Sequence, residues 1–388
     1  MTRNQKLILE KVIEFDKKKP FLISTRMVQG KIQVSDRGST DYIPLEKFIE
    51  DPTNRKFLEQ QLELFSKLCS GRNHKNIELI SSKYCSFEEA ITGMKSTGLK
   101  GRIRASYTNI VHYVYVDVDN NQPILTRVQL SFAWDSLDNK ESTLPETESL
   151  SGGKMDFFPD LRNWILAFLE EEKAIVCSKE KTYHNDFIST VLVLLQSLVL
   201  YGYYANHLHV KELLKALHSL VDGKTDVPFE KGIEGSELKN WRATTRFQDI
   251  VQNRPAIQIK TEALRVIDYL FNHSFSELLR HLLSNVKALD AAAEEAKRTD
   301  IRSASRHLPQ ELQPLLQYFG NDIEIPTEVT HEYLNHLRSH TSYMTCDGKI
   351  QSTLMDLAKY DNRDLTALAL HVFFFFFFFF FFFFFFFF

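Results

Sequence analysis

Apolar residues that return every three to four positions constrain this chain more than any other feature. Within residues 56–137, Phe57, Leu58, Leu62, Phe65 and Leu68 share one face at helical spacing, with Cys69 beside them. Gly71 stands where such a helix would stop, and residues 73–76 make a polar connection to a second helix starting near Ile77. The segment then becomes basic and aromatic, with Arg102, Arg104, Tyr107, His112, Tyr113 and Tyr115. A polar loop ending at Pro123 follows, and a closing stretch runs from Val128 to Trp134. A helical hairpin of this kind buries its stripe only when neighbours cover it. The expected fold class is therefore all-α, an armadillo-like superhelix of stacked helix pairs with long loops.

The same pitch recurs along the chain. Residues 2–15 read as a helix through Leu7, Ile8, Val12, Ile13 and Phe15, stopped by Lys17, Lys18, Lys19 and Pro20. This charged, amphipathic start does not read as a secretory leader. Residues 21–27 continue as helix or short strand, and residues 29–55 read as a polar loop or linker. Residues 138–156 are an acidic, Ser/Thr-rich linker. A second helical region covers residues 157–289. Its stripes include Phe158, Leu161, Trp164, Ile165, Phe168 and Leu169, and then Phe187, Val191, Leu194, Leu195 and Leu198. The latter helix is apolar almost all round, but Gln196 and Ser197 favour burial over a membrane. Residues 237–252 read as a short helix and 260–289 as a strong one, bridged by 251–259. Residues 290–350 are a variable region opening with a solvated helix at 290–306. Residues 351–372 form a last helix pair around Tyr360, Asp361 and Asn362.

Residues 373–388 are an uninterrupted run of phenylalanine, half of the chain's 32. With residues 367–372 the run approaches the roughly 20 residues of a membrane span. It lacks the residue mixture of such spans, and Phe has modest helix propensity. It reads instead as a low-complexity tail of translated nucleotide repeat.

Charge and motifs narrow the function classes. The net charge is −3, which gives no whole-chain field for nucleic acid. Lys100, Arg102 and Arg104 with Tyr107, Tyr113 and Tyr115 could form a stacking stripe, but three cations are too few to anchor a duplex. A helix with a basic end and a buried aromatic face fits better. Cys69, Cys85, Cys177 and Cys346 are spaced like buried small hydrophobes in a reducing compartment, not like a zinc or redox motif. Asp117, Asp119 and Asn121 have the opening spacing of a calcium loop. Gln122 and Val128 then stand where the loop needs Gly and Glu, so metal binding is not expected there. His207 and His209 lie on different helix faces. They, His218, and His331, His336 and His340 read as surface histidines. His74, His112 and His184 stand alone. No catalytic constellation or phosphate loop is present in the sequence. The chain reads as a non-enzyme with no cofactor, metal or catalytic residue.

Several motifs, in order, resemble the cytosolic helical region of inositol 1,4,5-trisphosphate receptors, and more distantly that of ryanodine receptors. A "Q-L-x-L-F-x-x-(L/M)-C-x-x-R" helix is kept as Gln61, Leu62, Leu64, Phe65, Leu68, Cys69 and Arg72. An "R-A-S" helix leading to a "V-D" loop is kept as Arg104, Ala105, Ser106, Val116 and Asp117, with Trp134 closing the loop. Tyr201, Gly202, Tyr203 and Tyr204 match an "F-G-F-Y" turn, followed by Leu213 and Leu214. Gln5, Leu7, Ile8, Ile23 and Thr25 match earlier helices, which would make residues 1–28 the end of the family's RIH-type helical domain.

The resemblance implies a fragment of a homotetrameric calcium-release channel of the endoplasmic reticulum membrane. This region would be cytosolic, a regulatory solenoid between the ligand-binding core and the pore. Its partners would be other domains of the same receptor, with calcium the permeant ion of the intact channel. The phosphate-binding residues of the family lie outside the matched motifs, so inositol trisphosphate would not bind this fragment alone. A stand-alone helical-repeat scaffold that binds protein partners and a ryanodine-receptor-like homologue are the alternatives. Sequence flanking the chain separates the three.

Overall fold

The computed structural model describes residues 2–18, 21–118, 158–172, 175–177, 181–204, 207–228, 232–298, 300–306, 308–310, 312–318, 326, 328–329, 331–333 and 349–385. Trp134, Asp119 and Asn121, and the linker at 138–156, lie outside them. So do His336, His340 and Cys346.

The described chain is mostly helical. It opens with α1 (Thr2–Lys18) and then departs from the sequence expectation. The stretch read as loop at 29–55 instead completes a three-stranded antiparallel sheet of β1 (Ser24–Val28), β2 (Lys31–Ser35) and β3 (Tyr42–Pro44), followed by the short α2 (Leu45–Phe48). The reason is local. Gln29 and Gly30 both have positive φ, 51° and 72°, and Val28 pairs with Lys31 across them. That is the two-residue turn whose twist suits a hairpin. Ile32 and Val34 alternate into the core behind it.

Four helices then follow: α3 (Pro52–Cys69), α4 (His74–Lys83), α5 (Phe87–Lys95) and α6 (Gly101–Ile110). Asp51 caps α3 by accepting from the Thr53 and Asn54 amides, with Pro52 at the first helical position. Gln61 of α3 is buried and mimics a strand neighbour. Its Nε2 donates to the Ile23 carbonyl and its Oε1 accepts from the Ile23 amide, both at 2.8 Å. One glutamine thus ties the start of the sheet to α3.

The second helical region comprises α7 (Phe158–Glu171), α8 (Thr182–Leu200), α9 (His207–Val221) and α10 (Gly235–Ala243). Then comes α11, a single 45-residue helix over Arg254–Arg298, about 67 Å long at 1.5 Å per residue. The sequence pattern divides this span into a connection at 251–259, a helix at 260–289 and a separate solvated helix. No glycine or proline interrupts residues 256–298, so nothing stops the helix. Its first half supplies Ile259, Leu264, Ile267, Leu270 and Phe271 to the main core. Its second half forms a smaller core through Ala288, Leu289, Ala292 and Ala293, with α12 (Ile301–Ser305) and α13 (Gln313–Leu316).

The chain ends in α14 (Ile350–Leu357) and α15 (Arg363–Phe385), the expected last helix pair. Helix α15 continues through the phenylalanines to Phe385, farther than propensity alone suggests. Tertiary contact is the cause at its start: Phe373 and Phe375 pack against the main core, and the Phe375 ring meets Phe275 of α11 at 5.5 Å.

Packing proceeds in layers: α3 and α5 on α6, α6 on α8, α8 and α9 on α11, and α11 on α15. Among the described residues, α8 is the helix long and apolar enough to cross a membrane. Yet 56% of its most apolar window is buried inside the protein, so it serves here as the core helix. A fully buried ion pair closes the far side of the core. Lys260 Nζ lies 2.9 Å from Asp226 Oδ2 and donates to the Leu220 carbonyl at 2.9 Å. The Asp226 carbonyl in turn accepts from Arg242.

Candidate functional site

The two helical regions meet where α6 crosses α8, and polar groups sit at both ends of that contact. Helix α3 ends by passing through two left-handed residues, Gly71 (φ 78°) and Arg72 (φ 61°). This conformation is unfavourable for arginine, and it turns the guanidinium onto the end of α6. There the helix widens into a π turn over Val111–Val116, closed by the Asp117 amide donating to the His112 carbonyl at 2.7 Å. The chain leaves the helix at Asp117.

From α8 comes Tyr201. The helix ends in a Schellman motif, with Gly202 N donating to the Val199 carbonyl and Tyr203 N to that of Leu198. Gly202 takes a φ of 82° that an L side chain rarely adopts. This stop brings the Tyr201 hydroxyl back over the π turn. Arg72 Nε donates to Asp117 Oδ1 at 2.8 Å, Arg72 Nη2 to Tyr201 Oη at 2.7 Å, and Tyr201 Oη to Asp117 Oδ1 at 2.7 Å. Three polar side chains from three separate segments thus close a triangle.

The electrostatics favour this state. Burial would raise the Asp117 carboxyl, but hydrogen bonds from Tyr201 and Arg72 and the guanidinium charge outweigh it and hold it below the usual range. Burial, together with the hydrogen bond to Asp117, pushes the Tyr201 hydroxyl up to about 12. One turn into the interface, His112 Nε2 meets Ser197 Oγ at 2.7 Å. Burial depresses this imidazole to about 4, which makes it a neutral partner at physiological pH.

The other end of the contact is set by close approach. A Cβ on Gly101 would collide with the Tyr183 carbonyl, so glycine there lets the first turn of α6 touch the first turn of α8. Arg104 is buried, donates from Nε to the Met94 carbonyl at 3.0 Å and lies 4.0 Å over the Phe187 ring of α8. Arg102 lies 3.5 Å from Glu59 and over Tyr183. Tyr107 is fully buried and Tyr115 donates to the Cys85 carbonyl. Arg104 and Tyr107 are buried while Lys100 and Arg102 stay exposed, the basic end and buried aromatic face that the sequence suggests.

The sequence points to no catalytic, cofactor or metal residue; Arg72, Asp117 and Tyr201 belong to three separate motifs in it, and Asp117 also opens the incomplete calcium-loop spacing. The structure brings these three together. The available signal is that Arg72 and Asp117 each end a motif with a polar group and Tyr201 opens one. The remaining candidates disperse. His218 Nε2 meets Thr353 Oγ1 at 2.9 Å between α9 and α14, and His184 pairs with Glu172 at 2.8 Å. His218, read from the sequence as a surface histidine, is instead buried, and His184, which stands alone in the sequence, has a partner. His209 is half-buried, while His331 is exposed. Cys69, Cys85 and Cys177 are buried thiols. Among the described residues there is no cluster of three or more histidine, cysteine or acidic residues able to hold a metal.

The arrangement is a layered helical body whose layers are pinned by polar contacts at their ends. The chain is 25% identical over 149 residues to the inositol 1,4,5-trisphosphate receptor-like protein A of Dictyostelium discoideum. The match covers 37% of this chain and 4% of that protein's length. No family model matches the chain.

Proposed function

We propose that this chain is part of the cytosolic regulatory solenoid of an inositol 1,4,5-trisphosphate-gated calcium-release channel. The observation that carries the reading is the 149-residue similarity to a receptor-like protein. The joining of Arg72, Asp117 and Tyr201, from three motifs that resemble the same family, supports it. So does α1, which leaves Leu7, Ile8 and Phe15 about half exposed, the type of face a further helix pair covers in a stacked array. In this reading the layers form an armadillo-like superhelix and the work is mechanical. A rotation started at the messenger site passes through rigid helices held in register by the polar seam. The intact protein is a homotetramer of the endoplasmic reticulum membrane with calcium as its permeant ion. This region faces the cytosol, carries no catalytic step, binds no nucleic acid and contacts other domains of the same receptor.

The transcript tests this. The reading predicts a messenger-binding region encoded upstream and hydrophobic pore spans downstream of the phenylalanine run. A complete frame confined to these 388 residues would overturn it in favour of a stand-alone scaffold. Calorimetry of the isolated chain with inositol 1,4,5-trisphosphate is expected to show no binding.

A further inference from the structure

The seam leaves unused a second buried polar cluster, where β1 and β2 lie on α5. Glu89 is 3% exposed at the start of α5. Ser86 caps that helix by accepting from the Glu89 amide, and the Glu89 carboxyl reaches back to the Ser86 N–H, the reciprocal pairing of a capping box. In this position the carboxyl also contacts the Thr25 hydroxyl of β1 and the Cys85 thiol. Its Oε1 has no hydrogen-bond partner, and neither does the fully buried Tyr107 hydroxyl nearby.

The Thr25 hydroxyl has two acceptors within reach, the Tyr84 carbonyl and the Glu89 carboxyl. A hydroxyl has one hydrogen, and that of Thr25 points to the Tyr84 carbonyl at 3.1 Å. The Cys85 thiol likewise has the Ser86 carbonyl within reach at 3.9 Å. When the Thr25 hydrogen points to the Tyr84 carbonyl, an ionised Glu89 faces the Thr25 oxygen and keeps only the Ser86 amide and the Cys85 thiol as donors. A protonated Glu89 can donate to Thr25 Oγ1 and complete a chain from Glu89 through Thr25 to the Tyr84 carbonyl.

We propose that Glu89 is a proton-operated latch, which in its neutral form fastens the three-stranded sheet to α5 and in its ionised form loosens it. Among the described residues no cation acts on the carboxyl. The groups acting on the carboxyl are Thr25 from β1, Cys85 and Ser86 from the link before α5, Tyr107 from α6 and Tyr115 from the π turn. Arg26 of β1 turns to the opposite face of the sheet with Gln33 and Tyr42, Lys31 of β2 is exposed, and Glu88 on the same helix points to solvent. Burial, the largest influence, raises Glu89 from 4.5 to about 7. A carboxyl so raised binds its proton more tightly in the docked state. The latch is therefore fully engaged below about 4.5, weakens as pH rises through about 7 and is lost above it.

Two measurements on the whole chain test this without reference to the channel. Carbonyl ¹³C titration of glutamate-labelled protein is expected to show one side chain with a midpoint near 7. If every glutamate titrates below about 5.5, where ordinary carboxyls lie, the latch is refuted. Amide exchange, corrected for its intrinsic pH dependence, is then read in residues 22–36 against residues 186–200 as the internal control. Between pH 6 and pH 8 protection of the sheet should fall about tenfold in the natural protein. It should change less than about twofold in Glu89→Gln, whose amide remains a neutral donor. Equal losses in both proteins, or no loss in the natural one, would overturn the proposal.

Discussion

Arg72 shows how much a single residue can be asked to do. It accepts a left-handed backbone that costs roughly 1 kcal/mol or more, and in return reaches two partners from two other segments. Because the guanidinium and the Asp117 carboxylate are partly buried, the triangle should be worth more than a surface pair. Tyr201→Phe removes two hydrogen bonds to charged groups and is expected to lower stability by about 1–3 kcal/mol in urea unfolding. A double-mutant cycle with Arg72→Met should show coupling of about 1 kcal/mol. The Asp117 carboxyl is held low, so its contribution is present above the ordinary carboxylate range and is lost as pH falls through its depressed value. Asp117→Asn should flatten that acid limb. Gly101→Ala tests the opposite end of the interface. Its new methyl would meet backbone, which cannot rotate away, and a cost of about 1–3 kcal/mol is expected.

At the scale of elements, the stripes of α3, α8, α9 and α11 were legible because each buries one continuous face at helical pitch. Phe65, Leu195, Leu214 and Leu264 all sit in the core. The sheet was harder to read. Its strands are three to five residues long, and its turn uses Gln-Gly, a weaker signal than Asn-Gly. Ile32 and Val34 were the visible clue, two alternating apolar positions in a polar stretch. The seam was illegible for another reason. Its three members lie 45 and 84 positions apart in sequence, and only the packing of α6 on α8 decides that they meet. The length of α11 could have been read from its lack of breakers. As one continuous rod it joins the main core to the smaller one at its far end. Ser276→Pro, placed between the two cores, should cost about 3 kcal/mol. It should also let residues 288–316 exchange amide hydrogens independently of residues 257–271, whereas a rod that matters little would leave the two cores protected in parallel.

Among the described residues, the layers are held by an apolar core with a few buried charges set at layer boundaries. Lys260 and Asp226 are 0% and 3% exposed, and removing one leaves the other uncompensated in the interior. Lys260→Met alone is expected to cost about 3–5 kcal/mol, with the Lys260→Met, Asp226→Leu pair recovering much of it. Thermal unfolding of the two variants checks this. A body built this way resists bending inside each layer and concentrates any give at the joints between layers, and the Arg72–Asp117–Tyr201 triangle is such a joint. If the chain works as a transmission element, weakening that joint should leave the messenger site untouched and blunt the response of the pore.

Under the proposed function, the most direct measurement is calcium release by the channel that reading assigns to this chain, comparing the natural protein with Tyr201→Phe in parallel with messenger binding. The account predicts unchanged affinity for inositol 1,4,5-trisphosphate and a loss of release of several-fold at a fixed messenger concentration. Release that is unchanged in a variant shown by urea unfolding to have lost the seam's stabilisation would contradict it.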